Sequence, residues 1–296
     1  MVRVVLLGAG ASFGSEDATP HTPPLGGGLF GALEASGGVA ASLPDDLKAA
    51  FRANFEDGMA RFYEHSGGNI MAFQRELAHY LAQFRPGPNN TYIRLLETLG
   101  IRRVVYCSLN YDILLELAAA RLGFDTEYSV SPVARSVRIL KLHGSCNFWP
   151  DIPVGMFRNS TFSGSGRADI QARIKPLNQD QTIYRCLNED SVAPAIAMYA
   201  KGKAVKVSPD YVEQHQAHWR TVLASARRAV VIGVRVVAED THIWDELGKT
   251  KAAVTYVGSQ AAEPSFLEWK GKFSKNNAYF LESNFSDCIN KISQIY

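Results

Sequence analysis

The chain opens on a nearly uninterrupted apolar run, Val2-Arg3-Val4-Val5-Leu6-Leu7, rich in β-branched residues. A run this short reads as a strand buried on both faces of a parallel sheet. It stops at Gly8-Ala9-Gly10-Ala11-Ser12. Residues this small let the backbone turn tightly and let another group come close to it. The same design of strand, short polar turn and helix recurs downstream. A strand over 104–107 leads into Ser108-Leu109-Asn110-Tyr111-Asp112 and a helix over 113–122. A third strand, 138–142, ends in His143-Gly144-Ser145. A helix over 211–228 precedes a fourth strand, 229–234, with Gly233 near its end, and Asp240 is the expected N-cap of the next helix. Strands over 254–257 and 278–281 flank a helix over 264–273, and a helix over 285–295 follows. Strands alternating with helices predict an α/β fold with a doubly wound, Rossmann-like parallel sheet.

Between the first two strands the pattern changes. Leu47, Phe51, Phe55, Met59 and Phe62 recur every three or four residues, as do Phe73, Leu77, Leu81 and Phe84. This spacing predicts two amphipathic helices over 45–84, broken at Ser66-Gly67-Gly68-Asn69. They are expected to pack as an inserted helical lobe spanning about 40–88. The stretch 13–28 carries Pro20, Pro23, Pro24 and Gly26-Gly27-Gly28, which forbids a regular element there. It reads as a cover over the neighbouring turn or as a disordered connection. A short helix over 29–33 follows it. Asn89 or Asn90 is the expected cap of a helix over 92–99. The stretch 146–209 is the least regular, with a Ser/Gly-rich run at 160–166, and is expected to form a small lobe or flap. Residues 1–296 are expected to form one domain.

Composition narrows the classes. Hydrophobic residues make up 46% and charged residues 20%, the balance of an ordinary globular protein. A net charge of +2 makes no global case for nucleic-acid binding. No apolar run is long enough to span a bilayer, and the first residues do not read as a secretory signal. Cys107, Cys146, Cys186 and Cys288 are scattered, with no C-x-x-C pair. This spacing argues against a disulfide framework and a cysteine zinc site, and favours the reducing cytoplasm.

Each candidate group has two readings. Gly8-x-Gly10 matches the start of the dinucleotide pattern, but Phe13 stands where a third glycine is expected and Glu34 follows no second strand. The turn is a phosphate site or a tight βα turn without a ligand. Asn110 and Asp112 are helix caps or site residues. His143 bonds a nearby loop or titrates in a site. The three gain weight together, because each follows a strand of one sheet and strand carboxyl ends converge on one crevice.

Taken in order, Gly8-Ala9-Gly10-Ala11-Ser12, Ser108-Leu109-Asn110-Tyr111-Asp112 and Lys141-Leu142-His143-Gly144-Ser145 resemble the motifs of the sirtuin (Sir2) superfamily. So do Val230-Val231-Ile232-Gly233 and the later Asp240 and Ile243. The four-cysteine zinc ribbon of the deacylases is missing, and the stretch after the glycine turn departs from theirs. These departures resemble the bacterial SIR2-like branch, several of whose members are NAD-consuming effectors of antiphage defence. The resemblance implies hydrolysis of NAD, as substrate, to nicotinamide and ADP-ribose, with no metal. It implies that the amides of Ala9, Gly10, Ala11 and Ser12, next to Gly8, face the pyrophosphate, and that Gly233 and Asp240 lie at the cofactor. Asn110 would position the ribose or the attacking water, His143 would act as base, and Asp112 would orient the nicotinamide amide or brace Asn110. The loop after the turn would be a lid over the nicotinamide end. A homo-oligomer or a partner protein would gate activity. The alternatives are an NAD-dependent deacylase or ADP-ribosyltransferase, and a non-catalytic NAD- or ADP-ribose-binding subunit.

Overall fold

The computed structural model of the chain describes residues 2–131, 133–162, 169–197 and 206–295. Its strands, in chain order, are β1 (Val2–Leu7), β2 (Ala18–Thr19), β3 (Arg85–Pro86), β4 (Val104–Ser108), β5 (Asp125–Glu127), β6 (Ser136–Lys141), β7 (Phe148–Pro150), β8 (Ile174–Pro176), β9 (Ala226–Ile232), β10 (Ala253–Gly258) and β11 (Ala278–Glu282). Seven of them form one sheet in the order β11-β10-β9-β1-β4-β6-β5, and every pair is parallel. The doubly wound parallel sheet expected from the strand–helix alternation is present. From β1 the chain moves to β4 on one flank, whereas β9, on the other flank, continues to β10. The winding direction therefore reverses between β1 and β9, and in such sheets the crevice at that reversal is where ligands bind.

Period-two alternation sends each central strand to both faces. Val5, Leu7, Val104, Tyr106, Val137, Ile139, Val230 and Ile232 belong to one buried cluster, and Val4, Leu6, Val105, Cys107, Leu140, Ala229 and Val231 to another. The second face is covered by three helices, Pro209–Ser225, Thr241–Lys249 and Glu263–Lys272, through Trp219, Leu223, Ile243, Trp244, Leu247, Phe266 and Trp269.

The core of the first face takes in the helices Thr91–Leu99, Leu114–Arg121 and Phe285–Ile295, through Leu96, Leu115 and Ile289, together with the inserted helices. The chain forms α1 (Ala9–Phe13), α2 (Gly26–Ala35), α3 (Val39–Ser42), α4 (Asp45–Ala53), α5 (Phe55–His65) and α6 (Met71–Ala82). Three expectations are corrected here. The Gly-rich segment does not exclude a helix, because α2 begins at Gly26 and buries Phe30 and Leu33. The glycine turn itself winds into α1. The run over 45–84 makes three helices, because Asn54 takes extended dihedrals and its side chain accepts from the Glu56 and Asp57 N–H groups, starting α5 afresh. The apolar residues named for this run pack as expected. Phe51 stacks on Phe30 at 4.5 Å and on Phe73 at 5.3 Å. A Cβ on Gly58 would lie 2.4 Å from Phe51, so a glycine there lets α5 lie against α4. This aromatic cluster is continuous with the sheet residues of the first face, so sheet and insertion share one core.

Three more elements differ from expectation. β5 is a short polar edge strand without an apolar pattern. The stretch 146–209 contains the β7–β8 ribbon and a helix, Gln179–Asn188, opened by a capping box between Asn178 and Gln181. The part of the Ser/Gly-rich run over 163–166 lies outside the described residues. The loop after the glycine turn is tied down along its first part. The Asp17 carboxylate accepts from the Asn89 N–H, β2 pairs with β3, and the Asn90 side chain donates to the Ser15 hydroxyl and the Glu16 and Asp17 carbonyls. Asn90, as expected, also caps its helix, Thr91–Leu99, by accepting from the Tyr92 N–H.

Truncating Phe51 to Ala removes a side chain that is fully buried between two ring partners. Such truncations cost about 3–5 kcal/mol. Urea denaturation followed by circular dichroism is expected to show a loss of this size, with the sheet and the insertion unfolding in one transition.

Candidate active site

The ends of β1 and β9 meet backbone to backbone. Gly10 N–H donates to the Gly233 carbonyl at 2.9 Å, and Gly8 N–H donates to the Ile232 carbonyl at 3.0 Å. Gly233 takes a positive φ of 65°, and a Cβ on it would stand 2.2 Å from the Ala11 nitrogen. Glycine is required there by both conformation and space. The close approach expected of the opening turn is thus made by Gly233 itself. The Gly8, Gly10 and Ala11 N–H groups all have acceptors within the chain.

Ser12, buried at the end of this turn, organises the polar groups around it. Its hydroxyl donates to Asp112 Oδ2 at 2.8 Å. A hydroxyl has one proton, so the Tyr92 hydroxyl, also 2.8 Å away, donates to Ser12. Asn110 Nδ2 donates its two protons to Ser12 Oγ at 2.8 Å and to the Gly8 carbonyl at 2.9 Å. A carbonyl only accepts, so the atom facing Gly8 must be the amide nitrogen, and the orientation of the Asn110 amide is fixed. Among the described residues, Asn110 Oδ1 is left buried and without a hydrogen-bond partner. Asn110 is therefore no helix cap, whereas Asp112 does receive the Leu114 N–H on Oδ1 at 3.1 Å. Both Asp112 oxygens hold protein donors, so its contacts are those of a brace for Asn110 through Ser12.

Under this layer lies a buried charge pair. Lys141, at the end of β6, donates from Nζ to the Asp112 carbonyl at 2.5 Å and stands 3.4 Å from Glu116 Oε1. Burial pushes the Glu116 carboxyl above its ordinary range, and the ammonium of Lys141 opposes that shift. Burial, reinforced by Asp112, pushes the Tyr92 phenol well above its usual value, so it stays a proton donor. The backbone N–H of Lys141 donates to His215 Nδ1 at 2.9 Å, and burial pulls His215 down to about 3.

Two residues on, His143 is buried, and its carbonyl accepts from the Ala197 N–H at 2.9 Å. The Tyr111 hydroxyl donates to the Ala197 carbonyl at 2.5 Å, so one segment holds the β4 and β6 turns together. Gly144 makes this fit possible: its φ is 80°, and a Cβ would stand 2.0 Å from the Ala195 carbonyl oxygen. His143 Nε2 faces His242 Nε2 at 3.0 Å. Asp240 is a correction. It stands at the N-cap of the helix Thr241–Lys249, but its side chain makes no capping bond. It joins His143 and His242 in a cluster whose ligand atoms all lie within 4.8 Å of one another.

The structure thus brings Ser12, Asn110 and Asp112 into one hydrogen-bonded group, sets Gly8, Gly10 and Gly233 against each other as backbone, and joins His143 to Asp240. All of them lie at the carboxyl edge of the sheet. Tyr92, Glu116, Lys141 and His242 were not foreseen. Only His242 carried a signal, its i+2 spacing from Asp240. The four cysteines are buried and free, and burial pushes Cys186 and Cys288 up to about 12, which leaves them poor nucleophiles and ligands. Glu34, the misplaced ribose acid, pairs with Arg52 at 2.6 Å and Lys48 at 3.5 Å.

Fold and site together define a Rossmann-like, doubly wound α/β protein with a polar cluster at the carboxyl ends of its central strands. No protein-family model matches the chain, and no curated protein matches it.

Two outcomes follow from these contacts. Ser12→Ala leaves Tyr92, Asn110 and Asp112 each short of a buried partner, and is expected to lower stability by about 1–3 kcal/mol in urea denaturation. His215 stays neutral when folded but titrates near 6.5 in unfolded chains. The unfolded state then binds more protons between about pH 6.5 and 3, so stability is full above that window and falls as pH drops through it. From pH 7.5 to 5 this group alone removes about 1–2 kcal/mol. His215→Asn is expected to flatten the stability–pH profile by that amount.

Proposed function

We propose that the protein is an NAD+ hydrolase that cleaves the nicotinamide–ribose bond. We assign it to the bacterial SIR2-like branch of the sirtuin superfamily, as a cytoplasmic effector of antiphage defence gated by self-assembly or by a partner protein. The observation that carries this reading is the Asn110 amide. Its nitrogen is locked by Gly8 and Ser12, and its buried oxygen has no partner among the described residues. A buried acceptor left unpaired costs about 1–3 kcal/mol unless a ligand supplies a donor. Water and ribose hydroxyls are such donors.

The chemistry follows from these groups. Breaking the bond between the ribose anomeric carbon and the pyridinium nitrogen returns the bonding electrons to nitrogen, and nicotinamide leaves neutral. The ribose passes through an oxocarbenium-like state, and water forms the new bond at the anomeric carbon. Asn110 Oδ1 accepts from that water or from a ribose hydroxyl and so fixes the geometry. His143 takes the proton that water loses. The products are nicotinamide, ADP-ribose and one proton. Ser12, Tyr92 and Asp112 act through Asn110 as positioning residues. In this reading the pyrophosphate and the adenosine ribose lie against the small residues of the joined turns, Gly8 to Ser12 and Gly233.

Incubating the purified chain with NAD over a range of protein concentrations, and resolving products by chromatography, tests the reading. Nicotinamide and ADP-ribose are expected in equal amounts. Asn110→Ala and His143→Ala are each expected to lower the rate at least about 100-fold, with folding checked by circular dichroism. Saturable NAD binding without product at every concentration would instead support a binding subunit.

A further inference from the structure

We propose that His143, Asp240 and His242 form a binding site for one divalent transition-metal ion of the zinc class, and that an ion bound there silences the site. The three side chains come from two separate elements, the end of β6 and the start of the helix Thr241–Lys249. Two imidazoles and one carboxylate are a donor set suited to zinc and its neighbours, whereas magnesium and calcium prefer all-oxygen sites. Three protein ligands leave a fourth position for water.

The distances fit an ion. Zinc binds imidazole nitrogen at about 2.0–2.1 Å, which at a tetrahedral angle separates two ring nitrogens by about 3.3–3.4 Å. The two Nε2 atoms stand 3.0 Å apart, so a small opening of the pair admits the ion. All three ligand atoms already lie within 4.8 Å of one another. His143 is buried, while His242 is only partly so and leaves a way in. The cysteines do not compete, since none belongs to this cluster.

An ion held on Nε2 of His143 withdraws electron density from the ring and lowers the basicity that a proton acceptor needs. The inhibitory half of the proposal therefore rests on the role of His143 given above, and the binding half does not.

The full chain, stripped with chelator and dialysed, is titrated with zinc by calorimetry, and with cobalt(II) by visible absorption. One equivalent per chain is expected, with a Kd in the micromolar range or tighter at pH 7.5 and the cobalt bands of a four- or five-coordinate site. His242→Ala and Asp240→Asn are each expected to weaken binding at least about tenfold. His242→Gln serves if the alanine variant fails to fold. No stoichiometric binding, or binding unchanged in both variants, would overturn the site and leave a hydrogen-bonded histidine pair. In a second arm, saturating zinc is expected to slow NAD cleavage at least about tenfold, chelator to restore it, and His242→Ala to lose the zinc response relative to its own metal-free rate. Zinc bound through these residues with no slowing overturns the inhibitory role. Zinc bound by a chain that cleaves no NAD at any protein concentration upholds the metal site and overturns a hydrolase gated by self-assembly alone.

Discussion

At the junction of β1 and β9 two backbones come so close that no side chain fits between them. Gly10 donates to the Gly233 carbonyl, and a Cβ on Gly233 would stand on the Ala11 nitrogen. This junction sits where the sheet reverses its winding. It fixes the end of β1, hence the start of α1, hence the position of Ser12. A larger residue at Gly233 would push the turn outward and carry Ser12 away from Asn110.

Ser12 then transmits that position. Its one proton goes to Asp112, and its two acceptor sites receive Tyr92 and Asn110. The count is complete, so each group has only one way to point. The Asn110 amide inherits its orientation from this count, and its oxygen is left without a partner among the described residues. Lys141 braces the same layer from below through the Asp112 carbonyl, with Glu116 as its counter-charge. Removing one partner of a buried pair leaves an uncompensated charge, so these two residues are kept together by the desolvation each would otherwise suffer.

Much of this was legible in the sequence. Apolar runs ended by small or polar residues gave the central strands, and those ends carry Gly8, Asn110, His143 and Gly233. What escaped has physical causes. β5 is a polar edge strand, and an edge needs no apolar pattern. Asn54 restarts a helix without disturbing the three-to-four spacing on either side, so one pattern concealed two helices. Tyr92 joins Ser12 across 80 residues and His242 joins His143 across 99, pairings that no local spacing announces. Asp240 looked like a cap because position favours that role, but its carboxylate belongs to the histidine pair instead. The glycine turn was read as room for a ligand, and part of that room is taken by the chain itself.

The aromatic cluster around Phe51 has a bearing on how such a chain could have grown. Its rings run without a break into Val5, Tyr106 and Ile139 of the sheet. The segment between β1 and β4 is therefore not an excisable accessory. Cutting it out would remove the aromatic rings and the helix Thr91–Leu99 from the first face, leaving Leu114–Arg121 and Phe285–Ile295 as its cover. A shorter chain of this fold would need other side chains to fill the space of those rings.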